Sequence, residues 1–187
     1  MGKVRIIGGN FRSRILVFKS DFSSFRPTPD RVRETIFNWI GQDLSGKICL
    51  DLFAGTGALG FEAISRNAKK VVMVENALQA IKDLHLNKDL LKCTNLDIEK
   101  NDVIRFLSDC RQNFDIIFID APYKSNLLEE VLHKLVKDKF KILNKDGLIY
   151  IEFSIKPNLN SFEIIKEKKA GIVNYALIKP VLLEGSR

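Results

Sequence analysis

A glycine-rich turn flanked by acidic residues is the first part of the sequence whose residue types could bind a ligand. Asp51 ends an apolar run, Gly55 and Gly57 follow it, and Glu75 ends the next apolar run, 18 residues after Gly57. Glycines let the backbone turn sharply and approach a ligand closely, and in an open α/β sheet such a turn lies where ligands bind. Glu75 could accept hydrogen bonds from two ribose hydroxyls, while Asp51 would repel a pyrophosphate but suits an ammonium group. The alternatives are a dinucleotide site and a turn that only packs a helix on a strand.

The residue order in this turn resembles motif I of class I methyltransferases, because residues 51–57 read Asp-x-Phe-x-Gly-x-Gly. The resemblance implies S-adenosylmethionine as the cofactor. It also implies that Asp102, after the third predicted strand, contacts the adenine. The candidate cofactor-binding residues are Asp51, Phe53, Gly55, Thr56, Gly57, Glu75, Asn76, Asp102, Val103 and Asp120.

A second candidate site follows the apolar run 114–119 and consists of Asp120, Ala121, Pro122 and Tyr123. It resembles the (Asp/Asn)-Pro-Pro-(Tyr/Phe) motif of methyltransferases that act on exocyclic or amide nitrogens. An aryl amine is a poor nucleophile because its lone pair is delocalised, and two acceptors, the Asp120 carboxylate and the carbonyl of residue 121, could hold its N–H groups. Tyr123 could stack on the target base. Ala121 replaces the first proline of the motif, but a carbonyl acceptor needs no proline. An ordinary strand-to-loop turn is the alternative.

These candidate residues need a sheet to bring them together, and the pattern from residue 47 onward predicts one. Apolar runs alternate with amphipathic segments, which is typical of a parallel sheet with helices on both faces. Two final β-prone runs in succession favour an antiparallel hairpin at one edge. We therefore expect an α/β fold, a Rossmann-like class I methyltransferase with a mainly parallel seven-stranded sheet. The predicted strands are 47–53, 70–75, 95–100, 114–119, 147–153, 161–168 and 172–179, and the predicted helices between them are 58–67, 77–91, 102–111 and 126–138.

The residues before the sheet predict a small hairpin and one more helix. The β-prone runs 4–8 and 14–18 are separated by Gly and Asn, which favour a β-hairpin. Thr28 and Pro29 then predict a helix start, with Thr28 as the N-cap residue and Pro29 at the first helical position. The expected division of the chain is an N-terminal basic hairpin extension, 1–27, and a methyltransferase domain, 28–187.

Composition and charge narrow the classes of function. The chain of 187 residues carries a formal net charge of +7, and residues 1–40 hold eight Lys or Arg against three acids. A local basic surface attracts polyanions. No apolar run is long enough for a membrane span, and the first residues do not resemble a secretory signal, so we expect a cytoplasmic protein. The three cysteines form no C-x-x-C pair, and we expect neither a disulfide framework nor a metal site.

Two N-terminal stretches indicate a particular family. Residues 5–14 (RIIGGNFRSR) resemble the R-I-I-G-G-x-x-R-G-R opening of the RsmD family of 16S rRNA guanine-N2 methyltransferases, with Ser13 in place of a glycine. Residues 26–38 (RPTPDRVRETIFN) resemble that family's R-P-T-x-D-R-V-R-E-x-x-F-N segment. The resemblance continues through the cofactor turn, residues 120–123 and the final strands, and so covers nearly the whole chain.

The resemblance implies transfer of a methyl group to the exocyclic N2 of one guanine in 16S rRNA, within an assembled or assembling small ribosomal subunit. We expect a monomer that contacts RNA through its basic N-terminal part. The candidate RNA-binding residues are Arg5, Asn10, Arg12, Arg14, Arg26, Thr28, Arg31 and Arg33. Adenine-N6 and glutamine-amide methyltransferases are alternatives on the same fold, although Asn rather than Asp120 is more usual in them. A non-catalytic RNA-binding module is the alternative from another class.

Overall fold

The computed structural model describes residues 1–19, 28–123 and 125–181. Within these residues, a two-stranded antiparallel sheet precedes the main sheet, and five α-helices surround the main sheet. The helices are α1 (Asp30–Ile40), α2 (Ala58–Ser65), α3 (Leu78–Leu91), α4 (Val103–Asp109) and α5 (Leu127–Lys137). The strands are β1 (Gly2–Arg5), β2 (Ile15–Phe18), β3 (Ile48–Asp51), β4 (Lys70–Glu75), β5 (Leu96–Lys100), β6 (Phe114–Ile119), β7 (Leu143–Phe153), β8 (Phe162–Ala170) and β9 (Val173–Pro180).

The main sheet has seven strands in the order β5-β4-β3-β6-β7-β9-β8. Strands β3 to β7 pair in parallel, and β9 is antiparallel to both of its neighbours. This confirms the predicted mainly parallel sheet with a C-terminal antiparallel hairpin. The strand order reverses between β3 and β6, and the carboxyl ends beside such a reversal are where open α/β sheets bind ligands. The two candidate sites therefore lie at adjacent strand ends.

The core forms two layers because successive residues of the buried strands face opposite sides of the sheet. One layer packs β1, β2 and helices α1 to α3 against residues such as Cys49 and Phe118. The other packs α4 and α5 against residues such as Leu50 and Ile117. Within the described part of the chain, no helix is both long and apolar enough to cross a membrane.

The N-terminal hairpin shares the core of the main sheet. Its residues Val4, Ile6, Leu16 and Phe18 are buried in the same layer as α1 to α3. A short 3-10 helix, Gly9–Phe11, lies between β1 and β2, and Gly9 approaches helix α2 so closely that a Cβ there would lie 1.9 Å from the Ser65 carbonyl oxygen. The domain boundary between residues 27 and 28 stays a prediction.

The start of helix α1 and the backbone at Ser13 are two local features that bear on the sequence analysis. The prediction that Thr28 is the N-cap residue of α1 is wrong, because Pro29 occupies that position and the helix begins at Asp30. Ser13 takes a left-handed conformation with a φ of 68°. Left-handed backbone is costly for a residue with a Cβ, which explains why the RsmD pattern has glycine there.

Candidate active site

Asp51 lies at the carboxyl end of β3, at the centre of the sheet, and its side chain is almost completely buried, with 1% exposed. Its Oδ2 accepts a hydrogen bond from the Gly60 amide at 3.1 Å. Its Oδ1 has no hydrogen-bond partner among the described residues. Burial, with a smaller contribution from Glu75, raises the pKa of Asp51 to about 7. A buried carboxylate oxygen without a partner is costly, so this position suits a ligand that brings a positively charged donor.

The backbone after β3 turns through two glycines in left-handed conformations, Gly55 at a φ of 50° and Gly57 at 77°. A Cβ on Gly57 would lie 2.6 Å from a methyl carbon of Leu84 and 2.7 Å from the Phe61 ring. Helices α2 and α3 therefore leave room only for glycine at this point. The turn keeps the amides of the following residues close to any ligand at the strand ends.

Glu75 ends β4, next to the turn, and three backbone amides hold its carboxylate. Its Oε2 accepts from the Gly55 amide at 2.8 Å, and its Oε1 accepts from the amides of Asn76 and Ala77, both at 2.9 Å. The side chain is 8% exposed. Because its orientation is fixed in advance, Glu75 can receive hydroxyl donors without losing further side-chain freedom.

Asp102 follows β5 and caps helix α4, since its Oδ1 accepts a hydrogen bond from the Arg105 amide at 3.0 Å. The residue is exposed, and the neighbouring Val103 is buried. Strands β3, β4 and β5 are consecutive in the sheet. Asp51, Glu75 and Asp102 therefore lie in a row at the carboxyl ends of three neighbouring strands, as an extended ligand would require.

Asp120 follows β6 and is half-buried at the strand end beside Asp51. Its Oδ2 accepts a hydrogen bond from the Thr28 hydroxyl at 3.2 Å. Burial raises the pKa of Asp120 well above its usual value, and the nearby carboxyl of Glu152 raises it further. Thr28 was expected to contact RNA, but it is 5% exposed. The structure places it beside Asp120 instead, in the region that we call the reactive end, which comprises Asp51, Asp120 and Glu152 at the carboxyl ends of β3, β6 and β7. This corrects that expectation.

The rest of the tetrapeptide forms a tight turn. Ala121 is buried, while Pro122 is exposed. Ser125 closes the turn by donating from its amide and its hydroxyl to the Pro122 carbonyl, at 3.0 Å and 2.7 Å. The Tyr123 side chain is 42% exposed. A planar ring is thus presented to solvent a few residues from Asp120.

Glu152, near the end of β7, is a residue of this site that the sequence analysis missed. It is 2% exposed and accepts hydrogen bonds from the hydroxyls of Tyr150, at 2.8 Å, and Tyr123, at 2.9 Å. Burial raises the pKa of Glu152, although the tyrosine and Thr28 hydroxyls oppose that rise. The available signal was a single acid in the otherwise apolar run GLIYIEF of residues 147–153.

Comparison with known proteins identifies the family. A family described as conserved hypothetical protein 95 matches residues 4–179. Ribosomal RNA small subunit methyltransferase D of Haemophilus influenzae is 40% identical over 184 residues, covering 94% of this chain and 93% of that protein. The chain belongs to the ribosomal RNA small subunit methyltransferase D family. The Escherichia coli K12 protein of that name is 37% identical, over 94% of this chain and 89% of its own length.

The same family accounts for the fold. The solved structure of the yhhF protein of Escherichia coli superposes with a TM-score of 0.86 at 37% identity, covering 96% of this chain and 98% of the other. The sequence-based resemblance to the RsmD family is therefore confirmed. The described N-terminal arginines that the sequence predicted to bind RNA fall into two groups in the structure, one buried and one exposed.

Arg33 belongs to the first group, and the prediction that it binds RNA phosphate is wrong. Its side chain is completely buried on α1. The guanidinium pairs with Asp30 at 2.6 Å and Glu62 at 3.3 Å, and it donates to the carbonyls of Thr28 and Arg5. These partners occupy the guanidinium, so a phosphate could not reach it.

Glu62, on helix α2, is the centre of this buried arrangement. Its carboxylate receives the amides of Ile7 at 2.9 Å and Gly8 at 2.8 Å, and it pairs with Arg66 at 2.9 Å as well as with Arg33. We call Glu62, Arg33, Arg66 and these two amides the N-terminal anchor. The RIIGG segment of the methyltransferase D family thereby attaches to the helix that follows the glycine turn.

The second group of arginines is exposed. Arg5 pairs with Asp30 at 3.0 Å, with 59% of its side chain accessible, and it lines an open cleft of about 250 Å³ together with Arg12 and Glu34. Arg14 and Arg31 are also exposed. Asn10 is exposed and donates its side-chain amide to Asn67 at 2.7 Å. Arg26 lies outside the described residues.

Proposed function

We propose that this protein transfers a methyl group from S-adenosylmethionine to the exocyclic N2 of a guanine in 16S rRNA of the small ribosomal subunit. One observation carries the proposal. In a chain of the methyltransferase D family, the buried Asp51 and the half-buried Asp120 lie at the adjacent carboxyl ends of β3 and β6, and Asp51 keeps an oxygen without a partner among the described residues. The order of Asp51, Glu75 and Asp102 along the sheet supports a cofactor with an amino-acid end, a ribose and an adenine.

The residues fit S-adenosylmethionine group by group. Asp51 would accept from the ammonium of the methionine part, and Glu75 would accept from the ribose hydroxyls. Asp102 and Val103, where α4 begins, would border the adenine, with Phe53, Gly55, Thr56, Gly57 and Asn76 completing the lining. When bound, the cofactor supplies an electrophilic methyl group on a sulfonium.

The residues after β6 would prepare the guanine amine. Asp120 accepts one N–H of the amine and the carbonyl of Ala121 accepts the other, which favours a pyramidal nitrogen with its lone pair directed at the methyl donor. Tyr123 stacks on the base. Asp120 needs no strength as a base, because its contribution is to orient the amine and to stabilise the positive charge that develops on it. The methylated nitrogen is acidic, and it loses its extra proton to the Asp120 carboxylate or to water.

We infer that the RNA lies across the exposed arginines of the N-terminal part. Arg5, Arg12, Arg14 and Arg31 supply the positive charge, and Arg26 remains a candidate from the sequence alone. A footprint of several arginines supplies sequence-independent affinity for phosphates. We expect the enzyme to act as a monomer on ribosomal subunits in the cytoplasm.

The test is a transfer assay with methyl-labelled S-adenosylmethionine and small subunits from cells that lack the enzyme. The RNA is then digested and the labelled nucleoside identified. We expect label in N2-methylguanosine of 16S rRNA, and we expect Asp120→Ala to abolish transfer while cofactor affinity stays within about threefold. Label in N6-methyladenosine or in protein would overturn the proposed substrate. Bound cofactor and bound RNA with no transfer would favour a binding module instead.

A further inference from the structure

Glu152 is a buried acid, and burial disfavours its charged form. The side chain is 2% exposed, and within residues 1–19, 28–123 and 125–181 no ion pair reaches it. The neighbouring acid Asp120 makes the position still less favourable for a second negative charge. An apolar side chain of similar size, with phenylalanine in place of the two tyrosines, would avoid that cost. This arrangement therefore favours a role in the reaction over a role in folding.

The two oxygens of Glu152 join a rigid part of the interior to an exposed ring. Oε1 accepts from Tyr150, which is completely buried with its ring centroid 6.3 Å from that of Phe118 and 6.4 Å from that of Tyr175. Oε2 accepts from Tyr123, which is 42% exposed. The backbone of Glu152 is itself fixed, because its strand is paired with β6 on one side and β9 on the other. The Tyr123 hydroxyl is thus held by a group anchored in the centre of the sheet.

Glu152 also reaches the acceptor of the target amine through one side chain. The Thr28 hydroxyl lies 3.2 Å from the Asp120 carboxylate and also contacts Glu152. The Tyr123 ring and the Asp120 carboxylate are therefore both linked to the buried Glu152. A planar base held between them would meet both at a fixed separation.

We propose that Glu152 is a positioning residue for methyl transfer, which holds the Tyr123 ring through its hydroxyl so that the target guanine stacks with its amine at Asp120. This inference rests on the proposed function and names the group that orients its site. An exposed aromatic side chain loses rotamer freedom when it stacks on a base, and fixing it beforehand removes that loss. The hydrogen bond should affect the use of the RNA substrate and not the binding of the cofactor.

The test is a double-mutant cycle with Tyr123→Phe and Glu152→Leu, which leaves no acceptor at position 152. Tyr123→Phe keeps the ring and removes only the hydroxyl of an exposed side chain, so the fold is not at risk. We expect each single variant to lower kcat/KM for the ribosomal subunit by about tenfold, with cofactor affinity within about twofold. The double variant should show no larger decrease than either single variant, because both remove the same hydrogen bond. Tyr175→Phe, at a buried tyrosine whose hydroxyl makes no hydrogen bond to Glu152 among the described residues, is the matched control and should keep wild-type kcat/KM.

A second measurement does not depend on activity. With 3-fluorotyrosine in place of the three tyrosines, the fluorine NMR signal assigned by its disappearance in Tyr123→Phe should move toward the position of the free amino acid in Glu152→Leu. Wild-type kcat/KM in Tyr123→Phe, or decreases that add in the double variant, would overturn the inference. If wild-type protein transfers no methyl group to guanine but the fluorine signal moves as expected, the proposed function fails and the hydrogen bond stands.

Discussion

The protein buries acidic side chains in two regions, and the regions differ in what neutralises them. In the N-terminal anchor, Glu62 is surrounded by two arginines and two backbone amides. At the reactive end, hydroxyls and amides contact Asp51, Asp120 and Glu152, and no ion pair involves any of the three within the described residues. Both regions lie close to helix α2, which carries Glu62 and donates the Gly60 amide to Asp51.

The difference separates structural charges from functional ones. A buried carboxylate with matched partners adds order to the fold, and removing one partner leaves the others uncompensated. Burial raises the pKa of each acid at the reactive end, since it disfavours the charged form. That unfavourable energy is relieved when a ligand brings positive charge. Under the proposed function, the cofactor completes the reactive end, whereas the anchor contains its own matched partners.

The largest effect is expected at the anchor. Glu62→Ala leaves two buried guanidiniums and two amides without their acceptor, and should lower the free energy of unfolding by about 3–5 kcal/mol. Urea denaturation followed by circular dichroism measures this. Glu99→Ala, at an exposed acid, is the control and should stay within about 0.5 kcal/mol of wild type. A decrease below about 1 kcal/mol for Glu62→Ala would remove the contrast between the two regions.

The opposite sign is expected at the reactive end. Asp51→Asn removes a charge that burial disfavours, so at pH 8 the ligand-free variant should be more stable than wild type. The same change removes the acceptor for the ammonium group and should weaken S-adenosylmethionine binding by roughly 10- to 100-fold, the range for a hydrogen bond to a charged group. Calorimetric titration and urea denaturation at pH 8 test both parts. Reduced stability together with unchanged cofactor affinity would assign Asp51 to the structural class.

The pH dependence of the free energy of unfolding also tests whether Asp51 is a buried acid with a raised pKa or a stabilising structural charge. The pKa of Asp51 is about 7 in the folded protein, above the ordinary value of 3.8 for an aspartate. The folded state therefore binds this proton more tightly, and the contribution of Asp51 to stability is favourable below about pH 4 and disappears as pH rises to about 7. Between these values the wild-type free energy of unfolding should fall, relative to that of Asp51→Asn, by up to about 1.4 kcal/mol per pH unit. Parallel curves for the two proteins would contradict the raised pKa.

The smallest effect is expected among the N-terminal arginines, of which the structure exposes some and buries Arg33. Arg12 is exposed beside the cleft, whereas Arg33 is part of the anchor. Arg12→Glu should weaken RNA association and reduce the slope of log affinity against log salt, by about 0.9 for each phosphate that the variant no longer neutralises. Lys137→Glu, an equal charge change at an exposed position on α5, should alter the slope less. Equal slopes for wild type and Arg12→Glu would exclude Arg12 from the RNA footprint.

Much of the fold could be predicted because its signals are local. Alternation of apolar strands with amphipathic helices predicted the seven strands of the main sheet in the observed sequence order, with boundaries displaced by a few residues at most. The largest displacement is at β7, which begins at Leu143 and not at residue 147, because a register shift between Phe114 and Ile116 lets β7 pair over a longer stretch. The glycine turn could be predicted because few residues other than glycine tolerate its backbone.

The errors fall on polar residues whose partners are distant in sequence. The positions of Arg33 and Thr28 in a basic, proline-containing segment are equally consistent with an exposed phosphate-binding surface and with a buried network. Arg33 donates a hydrogen bond to Glu62, 29 residues along the chain, and Thr28 donates one to Asp120, 92 residues along the chain. Neither distance in sequence leaves a periodic signal.

Local sequence was enough to establish the order of strands and helices, the glycine turn, the acids that end β3 and β4, and the acid that follows β6. These features follow from side-chain periodicity and backbone conformation, which depend on neighbouring residues. In contrast, only the tertiary structure decided which groups neutralise each buried charge. Folding placed two arginines around Glu62 and left Asp51, Asp120 and Glu152 with hydroxyls and amides as their partners among the described residues. Whether a charge is stabilised depends on what surrounds it in space, and that environment is assembled only when distant segments pack together.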